Sequence, residues 1–278
     1  MSAGGVAAVL LCWNDVDRVL ALVEGLQRQG LPPDRVIVVD NGSDRAPARV
    51  LAAAYPDCET ITLAHNRGFA AAVILGIEHA LAGGADWIWL LNTDIELPAD
   101  ALPALRAAAG ADPRCGMTGA VLVEPDGSVQ ARGGGRVNLW TGMACHVVSA
   151  AERCDYMSAA CLLLRAEMLR EIGLFDEGYF FYWEDVDLGF RAREAGWTFA
   201  VAGDCLVVHR EGSSLGRWSQ ARWYHLFRGM RRFLRSRAPL PRTATLVRLV
   251  QHSIAMAAHG RRDALRGAWR GVRAGVRA

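Results

Sequence analysis

The chain has 278 residues, 52% hydrophobic and 22% charged, and all 31 of its basic residues other than histidine are Arg. That composition can bury a sizeable core and excludes a collagen-like, low-complexity or disordered chain. The net charge of +2 hides an asymmetry, because residues 1–216 carry −12 while 217–278 carry +14 with one acid, Asp263.

The first element, "VAAVLLCW" at 6–13, reads as a buried strand and is far shorter than the roughly 20 apolar residues that span a bilayer. No basic leader precedes it, so no signal peptide is expected. Residues 15–29 predict a helix, with Val16, Val19, Leu20, Val23 and Leu26 at helical spacing. "RVIVVDNGS" is a strand ending in a polar turn, 46–54 a helix, "ETITLA" a strand and "GFAAAVILGIEHALAGG" a helix. "DWIWLLNTDIEL" reads as one strand, and Pro98 introduces a helix over 98–110. The Gly-rich stretch 124–154 reads as a flexible loop or hairpin, and "DYMSAACLLLRAEMLREIGLFDE" returns to strand, then helix. Residues 185–195 look helical with Gly196 as the stop, and "WTFAVAGDCLVVHREGSS" gives a last strand pair ending at His209. Helices alone follow 217, broken at "APLPR".

Strands alternating with helices predict an α/β fold with a mainly parallel sheet flanked by helices. Ligands of such sheets sit at the carboxyl ends of the strands. Those ends carry Asn14 and Asp15; Asp40, Asn41, Gly42 and Ser43; His65, Asn66, Arg67 and Gly68; and Asn92, Thr93 and Asp94. Seven scattered cysteines without a Cys-x-x-Cys pair argue against a disulfide framework or zinc cluster, and for a reducing cytoplasm.

Each acidic group has two readings. Asp40 closes a strand with an Asx turn, or accepts a hydrogen bond from the imide of a uracil or thymine. Asp94 caps the helix after Pro98, or holds a divalent cation against a diphosphate, with Asn92 near the ribose. Glu184, Asp185 and Asp187 follow the aromatic run "GYFFYW" and open a helix. They complement its dipole, or an aromatic wall raises the pKa of a general base; both hold if Asp187 caps and Asp185 takes the proton. His209 is structural, or approaches the same metal, and 212–214 offer donors to a phosphate.

The ordered set "VVDNGSD", "HNRGFAAAVILGIEHAL", "WLLNTDIELPADAL", "CDYMSAACLLLRAEMLREIGLFDEGYFFYWEDVDLGFRAREAGW" and "VVHREGSS" resembles the inverting family-two glycosyltransferases, in their bacterial rhamnosyltransferase-like branch. The match covers about residues 6–216. The resemblance implies one nucleotide-diphospho-sugar transferase domain of the A-type glycosyltransferase fold over 1–216, and a helical, Arg-rich extension over 217–278. It implies a Mg²⁺ or Mn²⁺ cofactor at Asp94 and His209. On the donor side it places Trp13 on the base, Asp40 on its imide, Asn66 by the nucleoside and Asn92 at the ribose, with Asn14, Asn41, Arg67 and Thr93 beside them. Glu184 and Asp185 become the catalytic pair, Asp185 the base, and Tyr182 and Trp183 part of an aromatic acceptor wall running from Tyr179. The implied donor is dTDP-rhamnose or a UDP-sugar, and the acceptor a glycan or lipid-linked sugar for cell-surface polysaccharide. The chain departs from the commoner pattern at Asn92 (Asp in many relatives), at Val73 and Ile74 (often two Asn) and at Ala159 (often Gly).

In the tail, Trp223, Leu226, Phe227, Met230, Phe233 and Leu234 share one helical face, with Arg residues largely elsewhere. That face lies on an anionic membrane at the inner face of the plasma membrane, or packs on the acidic body. The Arg-rich 261–277 is expected at the surface or disordered. No motif supports nucleic-acid binding. The competing functions are a non-catalytic, transferase-like membrane tether and a sugar nucleotidyltransferase, whose Gly-rich phosphate loop "LLCWNDVDR" lacks.

Overall fold

The computed structural model describes residues 4–210, 216 and 218–274. Val6–Cys12 (β1) is almost wholly buried because helices cover both faces of its sheet, so it reads as a continuous apolar run. Val16–Gln27 (α1), Arg35–Asp40 (β2), Ala48–Ala54 (α2), Glu59–Thr62 (β3) and Phe69–Ala82 (α3) follow close to expectation. Trp87–Leu91 (β4) then stops. Asn92 turns the chain by donating its N–H to the Ala160 carbonyl (3.0 Å), and Ile95–Glu96 (β5) pairs elsewhere. The single strand expected over 86–97 is therefore two, at the centre and the edge of one sheet. Glu96 pairs with Arg210 (2.7 Å).

Ala101–Gly110 (α4) and Cys115–Val123 (β6) precede the stretch expected to be a flexible loop or hairpin. It forms Val129–Arg132 (β7), which pairs with β6, then Gly134–Asn138 (β8) and Met143–His146 (β9). Tyr156–Met157 (β10) completes a small sheet of order β10-β8-β9. Cys161–Arg165 (β11), Ala166–Ile172 (α5) and Glu184–Glu194 (α6) lead to Thr198–His209 (β12). β12 is one strand with a register shift between Ala202 and Leu206, where a strand pair was expected. The large sheet has the order β3-β2-β1-β4-β11-β6-β12-β5, with β7 on β6. β1 to β4 run parallel, β11 opposes them, and β12 runs parallel to β6.

Gln220–Arg237 (α7), Pro241–Ala258 (α8) and Arg262–Ala274 (α9) form the tail, broken at 238–240 as expected. The apolar face of α7 is not free. Phe227, Met230, Phe233 and Leu234 are buried with Tyr156, Tyr179, Trp183 and Val186 of the body. The expectation of surface or disorder for 261–277 is also corrected over 262–274: α9 packs on α7 through buried Ala264, Gly267, Ala268 and Gly271, whose small side chains let the helix backbones approach. No helix among the described residues is long and apolar enough to cross a membrane. All seven cysteines are unpaired.

Candidate active site

The carboxyl ends of β1, β2 and β4 open into a cleft of about 790 Å³. Trp13, Asn41, Asn66, Asn92, Thr93 and Asp94 line it, together with Asp15 and His209. Asn41, almost fully buried, fixes the loop after β3. Its amide donates to Asn66 Oδ1 and the Gly68 carbonyl (both 3.1 Å) and accepts from the Arg67 N–H (2.9 Å). Gly68 sits at φ +86° against the Phe180 carbonyl, where a Cβ has no room. Phe69 N–H donates to that carbonyl (2.6 Å), which ties the aromatic run to the start of α3.

Three of the expected donor residues do not line the cleft. Asn14 ties two strand ends together, its N–H on Ser43 Oγ and its Oδ1 on the Asp44 N–H, both 2.8 Å. Arg67 pairs with Glu177 (3.3 Å). Asp40 is fully buried: Oδ1 accepts from the Ser43 N–H (3.0 Å), the Asx-type turn, while Oδ2 has no hydrogen-bond partner among the described residues. Residues 212–214 lie outside the described residues.

Asp94 Oδ1 lies 3.5 Å from His209 Nε2, and both side chains are about one-tenth exposed. Asp94 does not cap α4, whose N-cap is Asp100. Gln130 orients the His209 ring. Its Nε2 donates to Glu124 Oε1 (3.0 Å), so its Oε1 accepts from His209 Nδ1–H at 2.6 Å. His209 Nε2 then faces the Asp94 carboxylate, the arrangement of a histidine held for a cation by its other ring nitrogen. The 3.5 Å separation suits two ligands of one ion with bonds of about 2.1 Å. No group of three or more His, Cys, Asp or Glu suited to a metal occurs among the described residues. A two-ligand site of this kind fits Mg²⁺ or Mn²⁺ completed by phosphate oxygens and water.

Glu184 and Asp185 line the same cleft. They are aimed there by an unusual turn, since Tyr182 (φ +69°) and Trp183 (φ +77°) both hold left-handed backbone. Such conformations cost on the order of 1 kcal/mol each and persist where packing imposes them. Here α7 imposes it, because Gly229 passes so close that a Cβ would lie 2.6 Å from the Tyr182 carbonyl. Glu184 is buried and its Oε2 has no hydrogen-bond partner among the described residues; burial first, then the Asp185 charge, hold its carboxyl well above the usual range. Burial raises Asp185 too, opposed by the N–H groups of Ala159 (3.4 Å) and Val186 (2.8 Å) and by His146. Both carboxyls are thus raised by burial, Glu184 the more strongly. Asp187 is not the cap expected: Trp183 occupies the N-cap position and Asp187 pairs with Arg191 (2.8 Å).

Phe180, Phe181, Tyr182 and Trp183 line the cleft, whereas Tyr179 belongs to the core. Several lining residues were not expected at the site. Gln130 and His146 lay in the presumed loop. Arg222, Trp223, His225, Leu226 and Met230 come from α7, and Arg248 from α8. The tail is thus a wall of the site.

The comparisons with known proteins agree with this geometry. The model of the family described as glycosyltransferase like family 2 matches residues 3–231. The chain is 32% identical over 212 residues to the N-acetylglucosaminyl-diphospho-decaprenol L-rhamnosyltransferase of Mycobacterium tuberculosis, covering 66% of this chain and 69% of that protein. It is 31% identical over 215 residues to galactofuranosyltransferase GlfT1 of the same species, covering 75% and 71%. Among solved structures, GalNAc-T7 with UDP, GalNAc and Mn²⁺ superposes with a TM-score of 0.68 at 12% identity, over 93% of this chain and 52% of that one. A mannosyltransferase of Pyrobaculum calidifontis in complex with GDP-Man and Mn²⁺ gives 0.61 at 19% identity, over 99% and 76%. These two likenesses establish a shared fold, that of the A-type glycosyltransferases. With a family match over most of its length and curated relatives above 30% identity, the chain belongs to glycosyltransferase family 2.

Proposed function

We propose that the protein is a metal-dependent inverting glycosyltransferase that moves a sugar, rhamnose first among the candidates, from a nucleoside diphosphate to a hydroxyl of a lipid-linked acceptor. The observation that carries this is that Asp94, His209, Glu184 and Asp185 line the same cleft. The donor is dTDP-rhamnose, with UDP-sugars second, and the acceptor reading follows the decaprenol-linked relative.

Trp13 packs on the base and Asn92 binds the ribose. Asp40 holds the turn after β2 through the Ser43 N–H. Asp94 and His209 hold Mg²⁺ or Mn²⁺, which when bound neutralises the charge gathering on the leaving diphosphate. Asp185 takes the proton of the acceptor hydroxyl as its oxygen bonds to the anomeric carbon. The carbon–oxygen bond to the diphosphate breaks, the electron pair leaves with the phosphate, and the centre inverts in one displacement.

The enzyme works in the cytoplasm against the inner face of the plasma membrane. With the apolar face of α7 buried, the membrane contact moves to α8, where Arg242, Leu246, Val250 and Ile254 recur every fourth residue on the outer face and Ile254 is 67% exposed. The +14 charge of 217–278 suits an anionic surface. Sedimentation with phosphatidylglycerol vesicles is expected to lose the protein on Leu246→Glu with Ile254→Glu; unchanged pelleting sinks this placement.

A thermal-shift series of dTDP, UDP and GDP with and without Mn²⁺ tests the donor site, since a ligand at 100 times its Kd stabilises by about 2.7 kcal/mol. A rise with dTDP or UDP that requires Mn²⁺ is expected. No rise with any nucleotide overturns the reading.

A further inference from the structure

The three consecutive glycines of "RGGGR", at 133–135, let β10 lie close on β8. A Cβ on Gly134 would overlap the Tyr156 carbonyl, and one on Gly135 would lie 2.5 Å from the Tyr156 hydroxyl. Gly135 pairs with Tyr156 on one side and His146 on the other, so the side chains of Tyr156 and His146 share one face of the small sheet. The Tyr156 ring is buried with Trp183, Val186 and Phe227, only 6% of the residue is exposed, and it lines the cleft. Its hydroxyl makes no hydrogen bond among the described residues. His146 lines the cleft too, with Nδ1 3.2 Å from the Gln130 carbonyl oxygen. A carbonyl only accepts, so Nδ1 carries the hydrogen and Nε2 is left for a ligand.

A tyrosine held only for its bulk gains nothing from this oxygen, because Phe fills the same volume without desolvating a hydroxyl. The packing also sets Tyr156 beside the acid pair. α6 runs so close that a Cβ on Gly189 would lie 2.7 Å from the Tyr156 Cα, and Asp185 stands one turn earlier on that helix face. Asp185 Oδ2 accepts from the N–H of Ala159, three residues beyond Tyr156. Burial first, then the Asp185 charge, push the phenol pKa up, so the group stays a hydrogen-bond donor at neutral pH. The same charge disfavours a phosphate at this place and leaves a neutral hydroxyl as the match.

We infer that Tyr156 is an acceptor-binding residue, its O–H donating to a second hydroxyl of the acceptor sugar, other than the one that Asp185 deprotonates, with His146 as the other partner of that hydroxyl. This rests on the transferase reading and adds a requirement to it: the acceptor sugar carries a further free hydroxyl that the enzyme reads.

Calorimetric titration with N-acetylglucosaminyl diphosphodecane, a short-chain analogue of a decaprenol-linked acceptor, tests this without turnover. Tyr156→Phe is expected to bind it roughly five- to tenfold more weakly than wild type, while affinity for dTDP or UDP with Mn²⁺ stays at the wild-type value. The Tm of the variant holds or rises, because the oxygen it removes is unpaired in the free protein, whereas deleting a structural hydrogen bond lowers it. In a series of probes lacking one sugar hydroxyl at a time, one probe costs wild type the same factor and costs Tyr156→Phe nothing further. His146→Ala loses the same discrimination; retaining it removes His146 from the pair. The inference is overturned if wild type does not bind the probe, if Tyr156→Phe binds it within twofold of wild type, if that variant discriminates among the deoxy probes as wild type does, or if nucleotide affinity falls instead. Probe binding that depends on Tyr156, with no transfer from any donor, sinks the function alone; transfer by an enzyme whose Tyr156→Phe form binds the probe normally sinks this inference alone.

Discussion

Asp185→Asn removes a charge and almost nothing else. Asp185 Oδ1 accepts from Val186 N–H at 2.8 Å and Oδ2 from Ala159 N–H at 3.4 Å. An amide offers one acceptor oxygen, so one of these N–H groups meets an NH₂, and the longer contact to Ala159 is the one given up. That loss is worth about 1 kcal/mol and a few degrees of Tm. The proton acceptor is lost outright. General-base catalysis contributes roughly a hundred- to ten-thousand-fold, or about 3–5 kcal/mol of barrier. Burial makes Asp185 a stronger base than a surface carboxylate, so wild-type kcat should rise with pH through its raised pKa and then level off. The variant should lack that limb. The assay is nucleoside diphosphate release at saturating donor and acceptor, with nucleoside diphosphate affinity measured by calorimetry as the control. A kcat within threefold of wild type, at normal nucleotide affinity, refutes the base assignment.

Three further outcomes follow from the geometry. Gln130→Leu frees the His209 ring and is expected to weaken Mn²⁺ binding, measured with the nucleoside diphosphate present, by roughly ten- to a hundredfold; unchanged affinity removes His209 from the metal site. Gly229→Ala gains at most about 1 kcal/mol of helix propensity but drives a Cβ into a carbonyl that cannot move, for a net loss of about 1–2 kcal/mol and roughly 2–6 °C of Tm; a Tm at or above wild type shows that α7 does not press on the turn. His252, buried between Trp223 (4.1 Å) and Phe227 (4.9 Å), is pushed down to about 4 by burial and by Arg248. The unfolded chain takes up that proton near 6.5, so this stability is complete above pH 6.5 and is lost as pH falls to about 4, by about 3 kcal/mol. His252→Phe should flatten denaturant-measured stability over that window, and an unchanged slope rejects the assignment.

The alternation of strands and helices, the Asp40 turn, and the Asp94 and Glu184–Asp185 motifs were legible in the sequence because each is a local pattern. A strand period, a turn residue and an acid after an aromatic run are all set within a few positions of the chain. The motifs in order were enough to reach the family. Errors arose where local pattern and distant pairing disagree. "DWIWLLNTDIEL" has the composition of one strand, but β5 is claimed by β12 at the far edge of the sheet. Asp187 stands where a cap belongs, but Arg191 one turn on takes it. The apolar face of α7 fits a membrane equally well, and only the facing ring of Tyr156, Tyr179 and Trp183 decides what covers it.

What tertiary structure alone decided is the state of the site. Gln130 reaches His209 across 79 positions of sequence and fixes which ring nitrogen faces Asp94. Gly229 of α7 holds the left-handed turn that aims the acid pair. Residue type tells which groups can carry charge, whereas burial and the neighbours brought in from distant elements determine whether they do.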